Sequence, residues 1–123
     1  MKLLFTPEEQ LCIHYYVQAI IKADRLIRPE ENVCRNTIML KMKWPEPDSK
    51  AIAAYSDENA VAVLAAMDDD KKRFVTAFFT MILLADQQIA PEEMDLLHRI
   101  TVAAQLPHIP TKECAEVLNS YLQ

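Results

Sequence analysis

The sequence predicts an all-α fold, a compact bundle of about six to eight helices built from two pseudo-symmetric helix-loop-helix repeats. The sequence motif Ala-Asp-x-x-Ile-x-Pro-Glu-Glu occurs twice, at residues 23–31 and at residues 85–93. Such a duplication indicates two equivalent units packed on each other. Glycine is absent from all 123 residues, although an average composition would supply about eight or nine. No segment alternates apolar and polar residues between turn signals, so no β-sheet is expected.

The first helix has three start signals that agree. Thr6 is a hydroxyl cap, Pro7 suits the first helical position, and Glu9 closes a capping box. From there the helix runs to about Ala23. Its polar residues are spaced by four and leave apolar side chains over the rest of its circumference, which predicts a helix buried on most sides. These polar residues are Gln10, His14, Gln18 and Lys22.

The next helices follow from proline, capping and charge signals. A second helix begins at Pro29 and ends before the proline-containing break at residues 44–47. Short helices are expected at about residues 51–55 and 60–67, the latter capped by a serine and two acidic residues. The counterpart of the first helix then runs over about residues 69–85, and it is again apolar nearly all round.

The chain ends with two further predicted helices. One opens at Pro91 and ends near residues 106–107, and a final amphipathic helix starts near Pro110. The chain is therefore assigned to a single domain, since its length suits one hydrophobic core. The domain spans residues 1–123, with repeat units at about 6–43 and 68–105.

Composition excludes several functional classes. A net charge of −5 provides no basic stripe for a nucleic-acid backbone, so no nucleic-acid partner is expected. Phosphate-cradling loops, dinucleotide fingerprints and nucleophile elbows all depend on glycine, which the chain lacks. The three cysteines form no Cys-x-x-Cys pair, which favours reduced thiols in a cytoplasmic protein. Polar residues interrupt the longest apolar stretches, so no direct membrane insertion is expected.

The two repeated segments resemble the TerB-like family, which is named for bacterial tellurite resistance. Family members carry Ala-Asp-Gly-x-Ile at a helix end and a glutamate seven residues after the aspartate. The matching residues are Asp24, Ile27 and Glu31 in the first copy and Asp86, Ile89 and Glu93 in the second. Arg25 and Gln87 stand where the family has glycine, so the chain resembles a divergent member. The resemblance covers about residues 6–118.

The resemblance implies a compact domain of about seven helices with a non-enzymatic binding or adaptor role in a bacterial stress response. Such a domain acts through protein partners, and a divalent cation, Ca²⁺ or Mg²⁺, is proposed to sit on its acidic side chains. The candidate cation ligands are Asp24, Glu31, Asp86 and Glu93. The sequence nominates no set of nucleophile, base and orienting residue, so no catalytic residues are expected.

Two interpretations of the duplicated aspartates remain open. Asp24 and Asp86 are predicted at the C-terminal ends of helices, where the helix dipole disfavours an anion, so each needs a compensating partner. That partner is either the amide groups of the following loop and helix, or a cation shared with Glu31 or Glu93. A divalent-cation sensor is therefore the alternative function, and a metal-dependent hydrolase built on the same acids is a third.

The histidines and most methionines are assigned structural roles. His14 lies on the polar stripe of a mostly buried helix and is expected to be a hydrogen-bonded structural residue. His98 and His108 are not expected to share a site, because a helix break separates them. The methionines are expected to fill gaps in the core, with a partner-binding patch at the boundary between the halves as the alternative. That patch would consist of Met39, Met42 and Trp44.

Overall fold

The structure is a computed structural model that describes residues 3–23, 29–85 and 91–122. Within these ranges the chain forms seven α-helices and one short 3-10 helix, Thr111–Glu113, without any β-strand. The α-helices are α1 (Pro7–Lys22), α2 (Pro29–Met42), α3 (Ser49–Ala53), α4 (Asp57–Ala65), α5 (Asp69–Leu84), α6 (Pro91–Ala103) and α7 (Cys114–Leu122). The prediction of an all-α bundle is confirmed. None of the described helices is long and apolar enough to cross a membrane.

Side-chain caps fix where several helices begin. The amide of Thr6 donates to the Glu9 carboxylate at 2.8 Å, and the amide of Glu9 donates to the Thr6 hydroxyl at 3.1 Å. This reciprocal pair is the predicted capping box, and it satisfies amides that a helix start otherwise leaves without acceptors. Asp48, Ser56 and Asp68 cap α3, α4 and α5 through their side-chain oxygens.

The two central helices occupy equivalent positions in the chain. Helix α5 lies 62 positions after α1 at both of its ends, and α6 begins 62 positions after α2. Every buried residue of α1 has a buried counterpart 62 positions later in α5. The pairs are Cys12 and Phe74, Ile13 and Val75, His14 and Thr76, Tyr16 and Phe78, Val17 and Phe79, Ile20 and Ile82, and Ile21 and Leu83.

Helices α2 and α6 also end in the same way. Lys43 follows α2 with a φ of 60°, and Gln105, 62 positions later, has a φ of 55°. In each case the next residue donates its amide to a carbonyl five positions back, at 3.1 Å after α2 and 3.0 Å after α6. This left-handed termination is the Schellman motif, in which glycine is usual. The positions where the TerB-like family has glycine, 25 and 87, lie outside the described residues.

The core is built around α1 and α5, which supply most of its side chains. Trp44, from the proline-containing break at residues 44–47, packs against it. Trp44 packs against Phe5, Phe74 and Phe78, with ring centroids 5.5, 6.3 and 6.5 Å away. Met39 is only 5% exposed. Met42 and Trp44 are only half-buried and line a surface pocket of about 320 Å³. The alternative of a partner-binding patch of Met39, Met42 and Trp44 therefore loses Met39 but stays a prediction for the other two residues.

Candidate functional site

The structure describes two of the four predicted cation ligands. Asp24 and Asp86 lie outside the described residues. Glu31 and Glu93 lie in the first turns of α2 and α6, and both are fully buried. No group of three or more histidine, cysteine, aspartate or glutamate side chains that could hold a metal ion occurs within residues 3–23, 29–85 and 91–122. Any cation site on these glutamates therefore also needs other ligands, such as backbone carbonyls, water or side chains outside those ranges.

Burial of Glu31 and Glu93 is more extreme than the sequence pattern suggests. In each Pro-Glu-Glu segment the first glutamate is exposed, as expected for a helix start, while the second points into the interior. Ionised carboxylates are costly to remove from water unless they are paired and hydrogen-bonded. Because both carboxylates are buried at equivalent positions, a buried glutamate at this place is a shared feature of the two units.

All four buried polar residues in the described part of the chain form repeat-equivalent pairs. Glu31 and Glu93 are one pair, and His14 and Thr76 are the other, each separated by 62 positions. Polar groups at these interior places are thus a shared property of the two units. A pattern search alone does not reveal the second pair, because histidine and threonine are chemically unlike.

His14 is buried as predicted but lacks the predicted hydrogen bond at one ring nitrogen. It is 2% exposed, and its ring meets that of Trp44 edge to face with centroids 5.6 Å apart. Its Nε2 atom has no hydrogen-bond partner among the described residues. Burial, assisted by the positive charge of Arg35, lowers the pKa of His14 from 6.5 to about 4. The imidazole is therefore neutral at physiological pH, which excludes it as a cationic binding group.

A groove of about 310 Å³ lies between α5, α6 and the loop at residues 107–111. Its walls are formed by residues about one helical turn apart on α5 and on α6, and the loop closes one side. Its lining residues are Thr76, Thr80, Leu83 and Leu84 from α5, Met94, Leu97, His98 and Thr101 from α6, and Pro107, His108, Ile109 and Thr111 from the loop segment. None of these residues is acidic.

Both histidines of the second half line this groove. The prediction that His98 and His108 do not share a site is wrong, because a helix break does not separate residues in space when the chain turns back. The left-handed backbone of Gln105 ends α6, and the loop that follows brings His108 beside the helix that carries His98. The sequence places the two residues on different elements but does not give the direction of the loop.

Two threonines on the groove walls use their hydroxyl protons within their own helices. Thr80 donates to the carbonyl of Thr76 at 2.8 Å, and Thr101 donates to the carbonyl of Leu97 at 2.8 Å. Leu83 is 2% exposed and forms part of the floor. The groove therefore offers mainly hydrocarbon surface, which suits the binding of apolar groups.

Comparison with known proteins extends the description of the fold. The sequence matches no family model and no curated protein. Among solved structures, the chain is similar to the crystal structure of a protein of unknown function from Porphyromonas gingivalis W83. The TM-score is 0.79 at 23% sequence identity, and the match covers 93% of this chain and 97% of that chain. This likeness shows that the helical arrangement as a whole occurs in a second protein.

Proposed function

We propose that this domain is a non-enzymatic binding module that acts through a protein partner, whose apolar side chains enter the α5–α6 groove. The groove itself is the observation that carries the proposal. Leu97 and Met94 line one wall, and Met94 remains 48% exposed. Full burial of an exposed side chain of this size is worth roughly 1.5–3 kcal/mol, and about half of that remains to be gained at Met94. The resemblance to TerB-like proteins supports an adaptor role in a bacterial stress response.

The chemistry of the groove favours binding over catalysis. An imidazole that acts as a general base is usually oriented by a carboxylate, and the lining of this groove contains no acidic residue. The hydroxyls of Thr80 and Thr101 donate to backbone carbonyls. A nucleophile, a base and an orienting group are therefore not assembled around the groove.

The proposal is tested by placing a charge in the groove. A partner captured from a lysate of the source organism is identified and purified, and its Kd is then measured against two variants of α6. Met94→Glu puts a carboxylate on the groove wall, and we expect it to weaken binding at least tenfold, which corresponds to about 1.4 kcal/mol.

Val102→Glu is the matched control for that experiment. Val102 lies on the same helix, is 65% exposed and does not line the groove. The same new charge at this position should change the Kd less than about twofold, since surface substitutions away from a site have small effects. Equal losses in the two variants, or none in either, would place the partner elsewhere.

Divalent-cation sensing is a second candidate, favoured by the complete burial of Glu31 and Glu93 at equivalent positions. Each glutamate follows an aspartate of the repeat by seven positions. A calcium site collects about six to eight oxygen ligands, so these carboxylates would act together with Asp24 and Asp86, carbonyl groups or water. Such a cation would link the end of one helix to the start of the next.

Calorimetric titration tests the cation candidate. Chelator-stripped protein is titrated with Ca²⁺, Mg²⁺, Mn²⁺ and Zn²⁺, alongside Asp24→Asn and Asp86→Asn variants. Micromolar binding that the variants lose would support sensing, and a cation at 100 times its Kd should stabilise the fold by about 2.7 kcal/mol. Glu30→Gln is the control, because Glu30 is exposed in the same helical turn as Glu31. Absence of heat with all four ions contradicts the candidate.

A further inference from the structure

The first repeat unit shows what the groove in the second unit lacks. Thr76 and Thr101 line the groove, and 62 positions earlier stand His14 and Met39. His14 is 2% and Met39 5% exposed, so both larger side chains fill interior space in the first unit. Two threonines provide much less volume at the equivalent places. The groove is thus the position in the repeat where the second unit leaves its own packing incomplete.

Aromatic rings occupy the corresponding place in the first unit. The imidazole of His14 meets the indole of Trp44 edge to face, with centroids 5.6 Å apart. In the second unit the equivalent residues are Thr76, which lines the groove, and Leu106, which is 7% exposed and does not line it. Edge-to-face pairs are a favourable arrangement for aromatic side chains. The position of Thr76 in the groove is therefore one that the first unit fills with the imidazole ring of His14.

Thr76 adds a polar group to this open place. It is 6% exposed, and its hydroxyl has no hydrogen-bond partner among the described residues. A buried hydroxyl without a partner costs about 1–3 kcal/mol. Thr80 and Thr101 differ, since each donates to a backbone carbonyl. Because Thr76 lines the groove, a polar group that enters the groove can supply the partner that its hydroxyl lacks.

We infer that the groove accepts a tyrosine side chain of the protein partner, with the phenol hydroxyl hydrogen-bonded to Thr76. This inference rests on the proposed function, because the tyrosine belongs to that partner. A phenol combines a flat apolar ring with one group that both donates and accepts a hydrogen bond. Met94 on the groove wall suits such a ring, because thioether sulfurs make favourable contacts with aromatic edges.

Small-molecule probes test this inference without the partner. The full chain, labelled with ¹⁵N, is titrated with p-cresol, which reproduces the tyrosine ring and hydroxyl, and with toluene, which lacks the hydroxyl. We expect p-cresol to shift the amide signals of groove residues with a Kd of about 1 mM, and to bind about tenfold more tightly than toluene. Thr76→Val keeps the side-chain shape and should abolish the preference for p-cresol.

Two further variants separate the hydrogen bond from the shape of the groove. Thr37→Val is the matched control: Thr37 is an exposed threonine on α2 whose hydroxyl donates to the carbonyl of Val33, and its loss should leave the preference unchanged. Thr101→Met restores the residue type found at the equivalent position of the first unit. It should fill the groove and prevent both probes from binding.

The outcomes distinguish this inference from the proposed function. Equal affinity for both probes, no shifts at groove residues, or an unchanged preference in Thr76→Val overturns the tyrosine assignment. If Met94→Glu nevertheless weakens the partner complex, the groove remains the partner site with a different anchor. If p-cresol binds as expected but Met94→Glu leaves the partner complex intact, the groove is a ring-binding site that the partner does not use.

Discussion

At the residue scale, His14 is held in an environment that suits only the neutral imidazole. The residue is 2% exposed, Trp44 covers one side of its ring, and the positive charge of Arg35 acts in the same direction as burial. Desolvation penalises the charged form of any titratable group, and a like charge adds to the penalty. The lowered pKa of His14 therefore links the stability of the fold to pH.

The sign of this link follows from proton binding. Above pH 6.5, His14 is neutral in both the folded and the unfolded chain, and its full contribution to stability is present. As the pH falls from 6.5 toward about 4, the unfolded chain binds a proton that the folded chain resists. We expect a loss of about 3 kcal/mol of unfolding free energy from this residue over that window.

Urea denaturation at pH 7.5 and at pH 4 measures that loss. His14→Phe keeps an aromatic ring against Trp44 but removes the titration, so the wild type should lose more stability than the variant over this interval. His98→Gln is the control for the loss of a histidine in itself, since His98 is exposed. Parallel pH profiles for the wild type and His14→Phe contradict the prediction.

At the element scale, the helix ends carry the clearest backbone strain. Lys43 and Gln105 are the non-glycine residues with positive φ in the described part of the chain. A side chain with a Cβ atom costs roughly 1–2 kcal/mol in the left-handed region. The Schellman bonds of Trp44 and Leu106, which these residues make possible, offset that cost.

Replacement of these residues by glycine should stabilise the protein. Gln105→Gly and Lys43→Gly each relieve the left-handed strain, and part of the gain is lost to the greater freedom of glycine in the unfolded chain. We expect a net increase of about 0.5–1 kcal/mol in the unfolding free energy for each variant. Chemical denaturation with a single cooperative transition provides the measurement.

Ala62→Gly controls for a general effect of glycine. Ala62 is exposed in the interior of α4, where the backbone is right-handed. Glycine there should destabilise the protein by about 1 kcal/mol. The contrast in sign between Ala62→Gly and Gln105→Gly identifies backbone conformation as the cause. Destabilisation by Gln105→Gly would show that the Gln105 side chain contributes more than its strain costs.

Contacts between helix starts join the two units directly. The carboxylate of Glu9 accepts from the amide of Thr6 and also pairs with the Lys71 ammonium group at 2.8 Å. The same ammonium group lies 5.5 Å from the centre of the Phe5 ring. Both charged side chains of this pair are mostly buried, at 15% and 18% exposure, so solvent screens the interaction less than at an open surface. One glutamate therefore caps α1 and ties it to α5.

At the scale of the whole molecule, the two units share the same arrangement of helices, and the groove lies in the second unit, between α5 and α6. The buried faces of α1 and α5 match position for position, and α2 and α6 end in the same motif. His14 and Met39 of the first unit correspond to Thr76 and Thr101 of the second, and both threonines line the groove. Smaller side chains at these two positions accompany an open groove in a unit whose helices keep the same arrangement.

The sequence by itself determined the helical class and most helix boundaries. Local signals suffice there: a capping box at Thr6 and Glu9 starts α1, and proline at positions 29 and 91 starts α2 and α6. Apolar periodicity identified α1 and α5 as central helices, because a helix that is apolar nearly all round must be buried. These features depend on residues close together in the chain, which is why the pattern alone reveals them.

Only the tertiary structure decided where the candidate sites are. The groove is lined by residues from α5, α6 and the loop at 107–111. These segments are apart in the sequence, and only their packing in three dimensions creates the open volume between them. His108 joins His98 because the chain reverses after Gln105, a direction that no local pattern specifies. Glu31 and Glu93 stand in Pro-Glu-Glu segments at helix starts, where glutamates are usually exposed, yet both side chains are buried. Burial and proximity depend on contacts between distant parts of the chain, and the fold alone creates them.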